Sequence, residues 1–420
     1  MKAITHRLFV YLIPLMFLFP LFKESISTFF FVLVAVNTLF YTVATNGQFC
    51  DNVVRNLTYT LPFWIIVTGC VLTLSISELK PIRHGLFFLL FPIVFSAIPA
   101  EYFSREKLQF YFEVLKNSCA VVAVGYLVAF LVYYDYDDFF VFRYGIPKFR
   151  DFVYYEIPFF KIHPTYFTAI LTFLVAFSLD QVFKKKKYVE LIYIGLFVFM
   201  TFMLLSKLNI MFVTTMVFLM LLLRMKLSIT KRILFSVVAL VTASALLIAV
   251  PGITNRFTEM FEKYNKPPVG IEFHSTNIRM AIYTCSTLIA KENFWTGVGY
   301  DKIGDRLTDC YQENYDSSFY KDKSYLTHNY FMYILLSGGI LSLIAFLYYI
   351  GRVLRAAWQI NHFLLSIFLL NVLIICFTED FFYRQFGLFY FSLIFFSFLR
   401  MYQGLVDNAT SGYDEGHHAS

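Results

Sequence analysis

The sequence predicts an all-α polytopic membrane protein: about 12 transmembrane helices with one large external loop containing short helices. Three observations predict it. The 420 residues are 59% hydrophobic and only 15% charged, too little charge to cover the surface of a soluble domain of this size. The aromatic share is 20%, with 53 Phe and 30 Tyr, more than one soluble core would hold, whereas lipid-facing helices expose such side chains without cost. The net charge of +7 is gathered in short basic clusters between uncharged runs, the pattern of loops at a membrane face rather than of nucleic-acid binding.

In order, the spans fall near 8–22, 26–46, 57–77, 85–100, 117–134, 163–180, 190–206, 208–224, 233–251, 329–350, 363–378 and 385–402, within a single transmembrane domain of residues 1–406. Several are shorter than the ~20 residues that a crossing needs, and gain a turn from flanking basic or aromatic residues whose tips reach the interface. Lys2 and Arg7 precede the first run, but no small-residue cleavage site follows it, so it reads as a retained helix. Orientation follows from three basic blocks: Lys184 to Lys187, then Arg224, Lys226, Lys231 and Arg232, then Arg352 and Arg355. With the N-terminus inside, the loops after the sixth, eighth and tenth spans are cytoplasmic, and these carry the blocks.

The segments 135–162 and 256–327 then face outside. The second is the largest soluble piece, with Pro267, Pro268 and Gly270 followed by a helix-like stretch over 277–289. Residues 191–223 are apolar except for Lys207. One helix of that length would run ~50 Å, too long for a ~30 Å hydrocarbon core. Both of its ends are basic, so the chain goes out and returns, with Ser206-Lys207-Leu208-Asn209 as the external turn. The polar tail 407–420 is expected to be disordered and cytoplasmic.

Six Cys form no CxxC or Cys/His cluster, so no metal site and no cofactor is expected. Cys70, Cys119 and Cys376 sit in apolar runs as small core residues, while Cys285 and Cys310 share the large loop, where pairing stays open. Four external features carry usable chemistry: Lys207, Arg279, Thr327-His328-Asn329, and Glu379 with Asp380 and Arg384. Neutral imidazole accepts a proton near pH 7, which suits His328 to general base work. Asn329 suits a helix cap. A guanidinium binds phosphate oxygens bidentately, which suits Arg279 to an anionic substrate, and Lys207 offers a point charge. Glu379, Asp380 and Arg384 could pair with one another or orient His328 and Arg279. Gly338-Gly339 reads as a site of close helix packing.

Residues 278–339 resemble the O-antigen ligase and polymerase superfamily: Arg279 on an amphipathic helix, an aromatic-x-Gly-x-Gly turn at Trp295, Gly297 and Gly299, then His328-Asn329 opening a helix with Gly338 beyond. The Ser206-Lys207 turn is similar to the family's Ser-Arg turn, with Lys where the family usually has Arg. His163-Pro164-Thr165-Tyr166 and the stretch from Glu379-Asp380 through Arg384-Gln385 to Gly387 also look like members, so the likeness spans 160–400.

The resemblance implies a metal-independent, inverting glycosyltransferase of the bacterial inner membrane with a periplasmic active face. Its donor would be a glycan on undecaprenyl diphosphate, and its acceptor a lipid A-core sugar for a ligase or a growing glycan for a polymerase. His328 would be catalytic, Arg279 and Lys207 would hold the diphosphate, and Asn329, Glu379, Arg384, His163 and Tyr166 would support them. One large loop and one of medium size favour the ligase over the polymerase. A protein acceptor stays open. A lipid-linked glycan transporter is the alternative of a different class, but the halves are unlike and the charges gather at one face.

Overall fold

In the computed structural model the described residues are 2–46, 50–74, 80–143, 146–157, 162–225, 227–249, 266–270, 275–321 and 324–417. Lys161, Lys226, residues 250–265 and 271–274 lie outside them, and with them the end of the ninth expected span and part of the large loop.

The described chain is almost entirely helical: α1 (Lys2–Met16), α2 (Glu24–Ala44), α3 (Cys50–Asn56), α4 (Leu61–Leu72), α5 (Lys80–Ala97), α6 (Arg105–Tyr133), α7 (Lys148–Asp151), α8 (Pro164–Lys185), α9 (Glu190–Met203), α10 (Lys207–Arg224), α11 (Ile229–Ala249), α12 (Ser275–Glu292), α13 (Ile303–Asn314), α14 (Tyr330–Ile360), α15 (Phe363–Cys376) and α16 (Gln385–His417). A two-residue antiparallel pair, Phe142–Arg143 with Ile146–Pro147, is the exception. Among the described residues, six helices are long and apolar enough to cross a membrane: α2, α6, α8, α10, α14 and the Gln385–Ala409 part of α16. Pro81–Ala97, Glu190–Met203 and Phe363–Cys376 are apolar but shorter. The chain is thus a polytopic helical membrane protein, with fewer full-length crossings among these residues than the twelve runs in the sequence.

The chain divides into two compact units. The first takes Met1–Met16, Thr28–Tyr111 and Asn265–Ser420. In it α4 packs on α5 and α14, α16 packs on α5 and α15, and α12 lies against α13 and α14. The second takes Phe17–Ser27 and Phe112–Tyr264, where α8 packs on α9 and α10, and α10 on α11. Helix α8 is the buried one, with 89% of its apolar window inside the protein, as befits a helix that is apolar all round. Its start is built by Pro164 at the first helical position, with His163 as the cap: the Thr165 N–H donates to His163 Nδ1 at 3.3 Å.

The aromatic side chains are divided between the interior and the surface. Phe31, Phe91, Phe95, Phe103, Phe389 and Phe396 are buried, and Phe31 stacks on Phe91 at 4.2 Å. Exposed positions are both aliphatic, such as Val132 (74% exposed), and aromatic, such as Trp358 (87% exposed). Helices in lipid associate by packing, not by a hydrophobic drive, and flat rings fill the space between them. The turn between α9 and α10 falls at 204–206, so Lys207 opens α10 instead of lying in the turn. Leu205 there has φ +46°, and Arg150 Nη1 donates to the Leu204 and Leu205 carbonyls at 2.9 and 2.8 Å, closing the end of α9.

A second correction is in the tenth span. Gly338 and Gly339 do not merely allow close packing; they break α14, with φ/ψ of −147°/21° and 72°/−171°. The 294–298 loop enters the break, where the Val298 N–H donates to the Leu336 carbonyl at 2.7 Å and the Ile340 N–H donates to the Phe294 carbonyl at 2.9 Å. Backbone groups freed by a break in a span must be satisfied by protein, and this loop does it. In the tail, α16 continues to His417. A helix already nucleated by a packed span extends one residue at a time at little cost.

Candidate active site

The site lies in the first unit, where the loop helices meet the ends of α14 and α15. Helix α12 presents Arg279. The turn after α15 presents Glu379 and Asp380. The residues before α14 present Thr327, His328 and Asn329. Asn329 is the N-cap of α14: its Oδ1 accepts from the Phe331 and Met332 N–H groups at 3.0 and 3.1 Å. This fixes where the helix starts and therefore where His328 sits.

Glu379 joins the two residues with the strongest chemistry. Arg279 Nη2 lies 2.8 Å from Glu379 Oε1, and His328 Nδ1 lies 3.1 Å from Glu379 Oε2. One carboxylate thus holds a guanidinium and an imidazole on its two oxygens. As the acceptor it fixes Nδ1–H as donor, which leaves Nε2 as the imidazole's basic nitrogen. Glu379 is 15% exposed, His328 28% and Arg279 34%, so the carboxylate is the sheltered member and its two partners reach toward solvent.

Asp380 holds the backbone of the same residue. The His328 N–H donates to Asp380 Oδ2 at 3.0 Å, and the Tyr283 hydroxyl donates to the His328 carbonyl at 3.3 Å. His328 has φ +44°, a left-handed conformation that costs a non-glycine residue ~1 kcal/mol or more and persists only where its surroundings enforce it. The two hydrogen bonds are that enforcement. Burial pushes the Asp380 carboxyl above its usual range, opposed by the neighbouring His328 charge and by the hydrogen bonds from Thr327 and the His328 backbone. The buried Thr327 hydroxyl lies against both Asp380 Oδ1 and the Asn329 carbonyl.

Cys285 and Cys310 are joined, with Cα atoms 5.8 Å apart, tying α12 to α13. The bond lies one and a half turns beyond Arg279 on the same helix. Arg384 is exposed just after the Phe381–Tyr383 turn. His163, Tyr166 and Lys207 belong to the second unit, where Tyr166 is buried with its ring against His163 at 5.4 Å and Asn209 Nδ2 donates to the Thr165 carbonyl at 3.0 Å. Among the described residues no group of His, Cys, Asp and Glu could hold a metal ion. Sequence reasoning missed Tyr283, although it stands four residues after Arg279, and so on the same helix face.

A multi-pass helical protein thus carries an Arg–carboxylate–His cluster at the ends of two apolar helices. Residues 191–347 match the family model described as O-Antigen ligase, so this part of the chain is similar to that family. Members are membrane glycosyltransferase-like enzymes working on lipid-linked glycans. The matched stretch contains Lys207, Arg279 and His328 and ends before Glu379 and Asp380. No curated protein matches the chain.

Proposed function

We propose that the protein is a ligase that moves a glycan from undecaprenyl diphosphate to a lipid A-core sugar, without a metal, at the periplasmic face of the bacterial inner membrane. The observation that carries this reading is the single Glu379 carboxylate holding Arg279 and His328 together. An imidazole with a fixed tautomer beside a phosphate-binding guanidinium is the minimum that such a transfer needs.

The acceptor hydroxyl approaches His328 Nε2 and gives up its proton as its oxygen bonds to the anomeric carbon. The bond from that carbon to the diphosphate oxygen breaks, and the electron pair leaves with the diphosphate. Arg279 offsets the charge that develops there. Glu379 stabilises the imidazolium formed at His328, as a carboxylate does behind a catalytic histidine. Attack opposite the leaving group inverts the anomeric centre. Lys207 is assigned a second share of the diphosphate charge from the sequence pattern, and Arg384, His163 and Tyr166 are assigned supporting roles on the same ground. The Cys285–Cys310 bond supports an external site, because such bonds persist in oxidising compartments.

Kinetics on the detergent-purified protein test the roles. His328→Ala is expected to lower turnover about 100- to 10,000-fold with donor binding little changed. Arg279→Ala is expected to weaken both donor binding and turnover, and Lys207→Arg to bind donor at least as well as the native residue. Near-normal turnover in His328→Ala would remove His328 from the mechanism.

A further inference from the structure

Beside His328 runs a chain of aromatic rings that the proposed transfer does not use. The Tyr325 ring lies 6.2 Å from the His328 imidazole, Phe319 lies 5.8 Å from Tyr325, and Tyr311 lies 5.2 Å from Phe319. Tyr320 and Tyr315 flank Phe319 at 5.2 and 6.3 Å. The inner members, Tyr311 and Phe319, are fully buried, whereas Tyr315, Tyr320 and Tyr325 are half-buried. Tyr311 follows Cys310 directly, so the disulfide fastens the base of this cluster to the helix that carries Arg279. At its other end the cluster meets the residue that Asp380, Tyr283 and the Asn329 cap hold in place.

We propose that Tyr325, backed by Phe319 and Tyr311, is the platform on which the acceptor saccharide stacks, so that one of its hydroxyls is presented to His328. The inference rests on the transfer reading above and names the acceptor subsite within it. A half-exposed tyrosine on a buried support gives a large rigid contact at small entropic cost. Its ring face suits the C–H face of a pyranose and its hydroxyl suits the sugar's polar edge, which neither a lipid tail nor a phosphate would use. Tyr325 is thus an acceptor-binding residue, and the insert between Tyr300 and Leu326 selects the acceptor through the rings it supplies.

The test uses the full-length protein in detergent with a lipid-linked glycan donor. Two acceptors are titrated: lipid A-core lacking polymer, and a lipid-linked single repeat unit. Whichever acceptor the native protein uses reports the KM. Tyr325→Ala is expected to raise the acceptor KM roughly tenfold, the scale of one lost aromatic contact. The donor KM and kcat should stay within about twofold, since uniform binding and not transition-state binding is lost. Tyr325→Phe should recover most of the acceptor affinity. The Cys285–Cys310 bond, read on a non-reducing gel, reports that each variant is folded. An unchanged acceptor KM in Tyr325→Ala, or a donor KM that rises and a kcat that falls along with it, would overturn the platform. His328→Ala run in parallel separates the two ideas: its retained activity would sink the general base while leaving the acceptor KM of Tyr325→Ala to be read on its own.

Discussion

His328 is gripped at three points: its ring by Glu379, its N–H by Asp380 and its carbonyl by Tyr283. Of these only the pairing of His328 with Glu379 and Arg279 could be read from the residues in order, because carboxylates and bases near one membrane face are natural partners. The left-handed backbone was not legible, since φ depends on hydrogen bonds from residues far along the chain. Asp380 carries a prediction with a definite sign. Its folded-state pKa is raised by burial above the ordinary carboxyl value, which is about 3.9 in an unfolded chain. Its contribution to stability is therefore full below that value and is lost as pH rises through the raised pKa. Asp380→Asn keeps an oxygen to accept from His328 and an NH2 to donate to Thr327, and it does not ionise. Melting temperatures across pH 4 to 8 check this. The difference, Asn variant minus native, should grow more positive with pH, and a pH-independent difference would show that Asp380 does not titrate in this way.

At the scale of elements, two devices set the geometry of the loop on the helices. One is the broken span. A Cβ added at Gly339 would sit 2.0 Å from the Trp295 carbonyl oxygen, and one at Gly297 would sit 2.6 Å from the Leu336 carbonyl oxygen. Both are backbone atoms that cannot swing aside, and both glycines have positive φ. Gly339→Ala and Gly297→Ala are each expected to abolish folded protein or to cut its yield severely in a fluorescence size-exclusion profile, whereas Gly351→Ala, whose added Cβ meets nothing within 4 Å, should leave the profile unchanged. The sequence pattern showed the glycines but could not show that two of them face each other across a helix break. The other device is the disulfide. Removing it by Cys285→Ser is expected to cost about 2–4 kcal/mol. Lowered melting of that variant, matched by the native protein in dithiothreitol, checks this; identical melting with and without reductant would mean that the bond does not brace α12. Two cysteines in one loop were visible in the sequence, but Cα atoms 5.8 Å apart were not, because the pairing depends on how α12 and α13 fold back on each other.

For the whole molecule, composition and the spacing of basic blocks were enough to read a multi-pass helical protein. They overstated how regular the crossings would be, since the Gly338-Gly339 pair interrupts a helix that hydropathy draws as continuous. They did not say which rings would be buried, because hydropathy counts apolar residues without saying whether lipid or protein meets them. The residues of the first-unit site could be picked out because charged groups at one membrane face are rare and so stand out. Their grouping could not, since it needs the turn after α15 and the start of α14 to meet. The most direct test of the proposed transfer is made in the native host. The gene is deleted and restored with the native sequence or His328→Ala, and the extracted lipopolysaccharide is separated on a gel. The native sequence should restore polymer on lipid A, while the deletion and His328→Ala should both lack it and keep long polymer on undecaprenyl diphosphate. A single repeat unit on lipid A in the deletion would make the protein a polymerase, and an unchanged ladder in the deletion would contradict glycan transfer to lipid A altogether.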